Sequence, residues 1–305
     1  MTYRSGLVSV VGRPNTGKST LVNALTGEKV AITSSKPQTT RHVIRGVVHR
    51  PAGQLVLVDT PGLHKPRTLL GQRLNDEVRH ALTDVDVIAV TLPANESIGP
   101  GDRRITAEAA TMKKAPKVAV VTKTDLVTRD QLMVHLAAVA ELAEANGFTW
   151  DEVVPISAAT GEQVELLTDL LIQLLPEGEA FFPSDQVTDE PVDVRVAELI
   201  REAALEGVRD ELPHSIAVVV DEMLPREDRP ADRPLTDIHA TLYVERTSQK
   251  SIIIGHKGER LRDVGQTSRR DIEALLGVPV YLDLHVKVAK DWQRDPKQLR
   301  RLGFD

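Results

Sequence analysis

The chain has 305 residues, enough for two domains rather than one. Its formal net charge of −6, with 41% apolar and 27% charged residues, excludes a nucleic-acid binder that works by overall charge and leaves only a local basic patch for that task. With no cysteines, disulfides, thiolate chemistry and Cys-based zinc sites are excluded. The start, Met1 to Gly6, runs directly into an apolar stretch without a signal-peptide core. No stretch approaches the ~18 apolar residues of a membrane span. The expectation is a cytoplasmic protein; peripheral contact with a membrane stays open.

Leu7 to Val11 predicts a strand, and a Gly-rich loop then opens a helix from Ser19. Leu55 to Asp59, Val85 to Leu92, Lys117 to Val121 and Val153 to Ile156 read as further buried strands. Helical patterns lie between them, as at Gln131 to Glu144 and Gln163 to Leu175. Such alternation predicts an α/β unit, a mostly parallel sheet with helices on both faces, over residues 1–175. Folds of this kind bind ligands at the carboxyl ends of strands. Pro176 to Pro191 is rich in proline and acidic residues and reads as a linker, 176–191. Residues 192–305 follow a different order: helix (Val194 to Glu211), strand (Ser215 to Glu222), strand (Ile238 to Arg246), two helices, strand (Val280 to Val288). The run Pro225 to Pro234 between the first two strands is polar and proline-punctuated, with no functional reading.

The chemistry-bearing motifs sit at the predicted strand ends. Gly12-Arg13-Pro14-Asn15-Thr16-Gly17-Lys18-Ser19 matches G-x-x-x-x-G-K-[ST] between a strand and a helix. Loop N–H groups there wrap phosphates, Lys18 supplies a cation to the β/γ-phosphates and the Ser19 hydroxyl ligates Mg²⁺. Gln38-Thr39-Thr40-Arg41 places a threonine where it would reach Mg²⁺, and either Thr39 or Thr40 fits. Asp59-Thr60-Pro61-Gly62 ends a strand: Asp59 belongs near Mg²⁺, and Gly62, lacking a Cβ, brings its N–H to the γ-phosphate. Lys18, Thr40 and Gly62 are therefore the catalytic candidates. In Thr122-Lys123-Thr124-Asp125 the Asp125 carboxylate can accept two hydrogen bonds from guanine, a donor pair adenine lacks. Ser157-Ala158-Ala159 follows 32 residues after Asp125, with the Ala158 N–H aimed at the guanine O6. Gly12, Asn15, Thr16, Gly17, Thr20 and Lys123 complete the expected GTP contacts.

Five motifs in this order resemble the Ras-like GTPase superfamily, in its translation-factor-related branch. Two departures and one further clue follow. The usual base motif begins with Asn, and Thr122 supplies only part of that network. The place where Ras-like switches carry a water-positioning Gln holds Leu63, as in hydrophobic-substituted GTPases, and His64 beside it reads as a surface switch residue. In relatives with Asn at the place of Asn15, that residue helps hold a K⁺. The resemblance therefore implies Mg²⁺, a K⁺ at Asn15, and slow intrinsic turnover.

Ser251 to Ile254 joins Gly255-His256-Lys257-Gly258, a G-x-x-G between an apolar and a charged helix. Together with the helix-strand-strand-helix-helix-strand order it resembles the type II KH domain, whose loop clamps about four nucleotides of single-stranded RNA. Ile254, Gly255, His256, Lys257, Gly258 and Arg260 are the candidate RNA contacts. Residues 246–305 hold 13 Lys and Arg against 8 Asp and Glu, a basic module on an acidic carrier.

One GTPase unit followed by one KH domain resembles the Era family of bacterial ribosome-assembly GTPases over essentially the whole chain. The segments that carry it are 12–20, 38–42, 59–64, 254–258 and Val286 to Gln293. The resemblance implies a monomer that binds GTP or GDP, and binds 16S rRNA near its 3′ end during 30S subunit maturation. The alternative is an RNA-binding assembly factor in which nucleotide is a structural or regulatory ligand with negligible turnover.

Overall fold

The computed structural model describes residues 2–34, 36, 39–41, 43–61, 68–83, 85–208, 212–227, 229–230 and 233–304, with backbone alone at 78, 79 and 81–83. Its main segments part between Asp189 and Glu190 into two compact units. Among the described residues no helix is long and apolar enough to cross a membrane.

The first unit runs β1 (Arg4–Val11), α1 (Lys18–Thr26), β2 (Ile44–Arg50), β3 (Gly53–Asp59), α2 (Leu69–Thr83), β4 (Val87–Pro93), α3 (Pro100–Thr111), β5 (Lys117–Thr122), α4 (Arg129–Glu144), β6 (Glu152–Pro155) and α5 (Val164–Leu174). The sheet order is β2-β3-β1-β4-β5-β6, and every pairing is parallel except β2 with β3. Strands β3, β4 and β5 are buried along their whole length, as apolar strands covered on both faces must be. Alternate residues feed two cores. Val8, Val10, Val87, Ala89, Val118 and Val120 pack with α1 and α5, while Val11, Ile88, Val90, Ala119 and Val121 pack with α3 and α4. Strand β2 has no counterpart in the sequence reading. Ile-Arg-Gly-Val-Val-His-Arg is charged at intervals, as suits an antiparallel edge, and it lacks the apolar run of the central strands.

The proline-rich stretch 176–188 lies against the first unit as a strap. Glu177 bridges Arg4, Thr188 bridges Gly46, and the Val47 N–H donates to the Val187 carbonyl at 2.8 Å. Gln54, a fully buried amide in β3, explains the fit. Its Oε1 accepts from the Phe181 and Phe182 N–H groups at 2.7 and 3.0 Å, and its Nε2 donates to the Phe182 carbonyl at 2.8 Å. A buried amide must be satisfied, and here the strap backbone satisfies it.

The second unit runs α6 (Val192–Leu205), α7 (Leu212–Ser215), β7 (Ala217–Pro225), β8 (Thr236–Val244), α8 (Thr247–Ile254), α9 (Glu259–Leu276), β9 (Val280–Val288) and α10 (Pro296–Arg301). Its sheet is β7-β8-β9, with β7 antiparallel and β9 parallel to β8. The first helix ends at Leu205, earlier than periodicity suggests, and Gly207 follows in the left-handed region (φ 67°). Beyond β9, Trp292 is fully buried, donates its indole N–H to the Ser215 carbonyl at 3.0 Å and stacks on Phe304 at 5.6 Å. Of the Pro225–Pro234 run, Asp228, Ala231 and Asp232 lie outside the described residues.

Candidate functional site

The phosphate loop begins where β1 ends and closes where α1 begins. A Cβ on Gly12 would lie 2.1 Å from Thr91 Oγ1, so only glycine fits where the chain leaves β1 beside β4. Gly17 at the helix start has φ 95°, a region glycine enters without strain. Inside the loop the Thr16 hydroxyl contacts the Arg13 carbonyl (3.0 Å) and Thr91 Oγ1 (2.6 Å). Thr16 and Thr91 are both buried. Lys18 is buried and donates to the Arg13 carbonyl at 3.0 Å. Burial pulls its ammonium down to about 8, partly offset by Asp59 and pushed the same way by Arg13. Pro14, Asn15, Gly17, Lys18, Ser19, Thr20, Thr33, Ser34, Thr39 and Thr40 line one pocket.

Three oxygen side chains meet beneath that loop. Ser19 Oγ donates to Asp59 Oδ2 at 2.8 Å and lies 2.9 Å from Thr40 Oγ1, which reaches the same carboxylate oxygen at 3.3 Å. Thr39 turns elsewhere, donating to the Lys36 carbonyl at 2.7 Å. Geometry thus separates the two threonines that sequence left equal. Burial pushes the Asp59 carboxyl up, with Lys18, Ser19 and Thr40 pulling it back. Its Oδ1 is buried with no hydrogen-bond partner among the described residues. Two hydroxyls and a carboxylate with one unmet oxygen are hard donors that fit Mg²⁺, which binds through one or two carboxylates plus phosphate oxygens. Gly62, Leu63, His64, Gln38 and His42 lie outside the described residues.

The base motif sits at the end of β5. Lys123 has φ 59° and sends its ammonium back to the Asn15 carbonyl at 2.8 Å. The Thr122 hydroxyl donates to the Thr16 carbonyl at 2.6 Å. Asp125, exposed in a short turn, accepts from Ser157 Oγ at 2.6 Å through Oδ1. Ser157 Oγ in turn accepts the Thr160 N–H at 3.2 Å, which fixes the turn carrying Ala158 and Ala159. The structure therefore brings the phosphate loop, the metal-type cluster and the base motif to one end of the sheet.

In the second unit α8 stops at Gly255 (φ 74°, ψ −177°), where a Cβ would lie 2.7 Å from Arg260 Cβ. His256 and Lys257 are exposed, and Gly258 (φ 81°) opens α9. Helical rotation splits the apolar run: Ile252 is 52% exposed, Ile253 is buried, and Ile254 is half-buried. Arg260, expected at the RNA, has a structural use in this unit. Its guanidinium donates to the Ala204 and Glu206 carbonyls at 3.2 and 2.6 Å, capping the orphan carbonyls of α6. A groove runs from Gly258 along α9 and β9, lined by Arg262, Gln266, Arg269 and Tyr281 among others. The spacing of 262, 266 and 269 puts these three on one face of α9.

Comparisons with known proteins fall on the same two units. A family model described as 50S ribosome-binding GTPase matches residues 7–123, and one described as KH domain matches 211–293. The chain is 68% identical to GTPase Era of Streptomyces coelicolor over 302 residues, covering 99% of this chain and 95% of the relative. It is 61% identical to GTPase Era of a Mycobacterium species, covering 99% of each. A crystal structure of Era in complex with MgGDPNP and nucleotides 1506–1542 of 16S ribosomal RNA superposes with TM-score 0.93 at 36% identity, covering 99% of each chain. An Aquifex aeolicus Era variant bound to GDP·AlF4⁻ gives TM-score 0.92 at 36% identity, again over 99% of each.

Proposed function

The chain belongs to the Era family of GTPases, and from that premise we propose that it hydrolyses GTP to GDP and phosphate and binds the 3′ region of 16S rRNA through its KH unit, assisting assembly of the 30S subunit. The observation that carries the nucleotide half is the meeting of Ser19, Thr40 and Asp59 under the phosphate loop. It joins a P-loop hydroxyl, a switch-segment threonine and a strand-end carboxylate, the set that closes around a nucleoside triphosphate with its metal.

Asp125 accepts from the guanine N1–H and amino group while Ser157 holds its other side, and the Ala158 N–H meets O6. Loop N–H groups and Lys18 cradle the phosphates and hold the charge that builds as water oxygen bonds to the γ-phosphorus and the bond to the β-phosphate oxygen breaks. Ser19, Thr40 and Asp59 would hold Mg²⁺, which when bound neutralises β- and γ-phosphate charge. Leu63 offers the attacking water no hydrogen bond, so slow intrinsic turnover follows. Asn15, on the wall it shares with Thr33 and Ser34, is proposed to help hold a K⁺. The GTPase-domain description names the large subunit; the small-subunit reading rests on the full-length Era relatives.

In the KH unit, Gly255 and Gly258 let RNA backbone approach, His256 and Lys257 contact phosphate, and Ile254 borders the bases. A monomer in the cytoplasm fits this work, with peripheral membrane association a further proposal. The test is multiple-turnover hydrolysis of GTP and ATP in K⁺ and in Na⁺, with crosslinking to a 16S 3′ fragment. GTP-selective turnover, faster in K⁺, and crosslinking lost in Gly258→Asp are expected. No turnover above background would leave nucleotide as a structural ligand, equal rates in the two salts would remove the K⁺, and undiminished crosslinking in Gly258→Asp would remove the KH assignment.

A further inference from the structure

Arg13, the second residue of the phosphate loop, sends its side chain to α3. Its Nε donates to both oxygens of Asp102, at 2.9 and 3.0 Å, and its Nη1 pairs with Glu96 Oε2 at 2.8 Å. Asp102 is 1% exposed and also accepts the Gly99 N–H at 2.9 Å. A carboxylate that deeply buried needs a cation, and Arg13 supplies it. The Arg13 stem packs close to Gly101, where a Cβ would be in ordinary van der Waals contact with Cδ at 3.4 Å.

Glu96 reaches the other loop as well. Its Oε1 lies 3.9 Å from Lys123 Nζ, the ammonium that donates to the Asn15 carbonyl. Asn15 and Lys123 both have positive φ, 64° and 59°. Such backbone persists where surroundings over-determine it. One carboxylate between β4 and α3 thus touches a cation from the phosphate loop and a cation from the base loop.

Resting on the GTPase reading above, we propose that Arg13 and Glu96 are positioning residues of the nucleotide site, bracketing the phosphate loop against the base loop so that both ends of one nucleotide are held in register. Neither touches the reacting atoms, so the effect belongs in binding rather than in chemistry. Glu96 is partly exposed (41%), and pairs of that kind are modest and screened by salt.

The experiment measures KM for GTP, kcat and the GDP dissociation rate in the full chain, at low salt and at ~1 M salt. Glu96→Gln keeps the shape and removes the charge. KM and GDP dissociation should rise about three- to fivefold at low salt, with kcat within about twofold, and the difference should shrink at high salt. Arg13→Gln should cost more than tenfold, because it also strands Asp102. The double variant should cost less than the product of the two singles. Because Arg13→Gln also weakens the fold, Glu96→Gln decides the matter. Unchanged KM and GDP dissociation in Glu96→Gln overturn the bracket, and so does a loss that persists in full at high salt, which marks packing. A wild-type chain that neither binds nor turns over GTP overturns the GTPase reading itself and the bracket with it.

Discussion

The Thr122 hydroxyl donates to the Thr16 main-chain carbonyl at 2.6 Å, and both residues are buried. The base motif is thereby tied to the phosphate loop although its first residue is not the usual Asn. Thr122→Val keeps the shape and leaves a buried carbonyl unmet, at a cost of about 1–3 kcal/mol. GDP affinity should fall by roughly five- to a hundredfold, while Thr122→Ser, which keeps the hydroxyl, stays close to wild type. Fluorescence titration with a labelled GDP measures both. Equal affinities for the valine and serine variants would show that the hydroxyl does not matter.

Ser157 grips one oxygen of Asp125 at 2.6 Å, so the carboxylate is oriented before guanine arrives. Asp125→Asn replaces an acceptor by a donor. Xanthine presents a carbonyl where guanine presents its amino group, so preference should move from GTP to the xanthosine nucleotide by at least tenfold. Competition binding with the two nucleotides reads it directly. Retained GTP preference would mean that Asp125 does not read the base.

Thr40 stands beside Asp59 and Ser19, whereas Thr39 donates to the Lys36 carbonyl. Thr40→Ala should move the Mg²⁺ dependence of hydrolysis at least tenfold toward higher metal. Thr39→Ala should move it about twofold or less. A metal titration of each variant checks this, and the same shift in both would undo the assignment.

The legible parts of this molecule were those where one residue type has one physical use. Gly12 is such a position, since any Cβ would strike Thr91. The all-buried strands β3, β4 and β5 announced themselves as apolar runs. What stayed hidden depends on partners distant in sequence. Strand β2 is defined by pairing with β3 on one edge and with Thr188 of the strap on the other. Arg260 follows the G-x-x-G loop and reads as an RNA contact, yet the C-terminus of α6, more than fifty residues upstream, claims its guanidinium. The choice between Thr39 and Thr40 is likewise one of backbone direction, which composition does not carry.

Glu77 on α2 is half-buried in a cavity it shares with Leu7, Val43, Val58 and Val85 and with the charged or titratable Arg45 and His80, and its Oε2 has no hydrogen-bond partner among the described residues. Burial pushes this carboxyl up to about 7, with Arg73 pulling weakly the other way. Its folded value lies above its ordinary value of 4.5, so the folded state binds the proton more tightly. The stability that proton supplies is fully present below pH 4.5 and is lost as pH rises through 7. Glu77→Gln should match wild type near pH 4.5 and exceed it by about 1 kcal/mol at pH 8, a figure reduced for solvent screening. Thermal melting across that range measures it, and parallel profiles for the two proteins would exclude Glu77 as the titrating group.

The two glycines of the KH loop should respond differently to substitution. Gly255 has φ 74° and ψ −177°, a region open in practice only to glycine, and a Cβ there would meet Arg260 Cβ at 2.7 Å. Gly255→Ala should displace Arg260 from the α6 carbonyls it caps and destabilise the unit by about 2–3 kcal/mol, combining backbone strain with the lost cap. Gly258 has φ 81° with nothing within 4 Å of its would-be Cβ. Aspartate tolerates the left-handed region better than most residues, so Gly258→Asp should fold while setting a negative charge against the RNA backbone. Affinity for a 16S 3′ oligonucleotide should drop at least tenfold with the melting midpoint moved by only a few degrees. Melting separates the two variants and filter binding reads the charge effect. A folded Gly258→Asp that binds the oligonucleotide as tightly as wild type would take this loop out of the RNA interface.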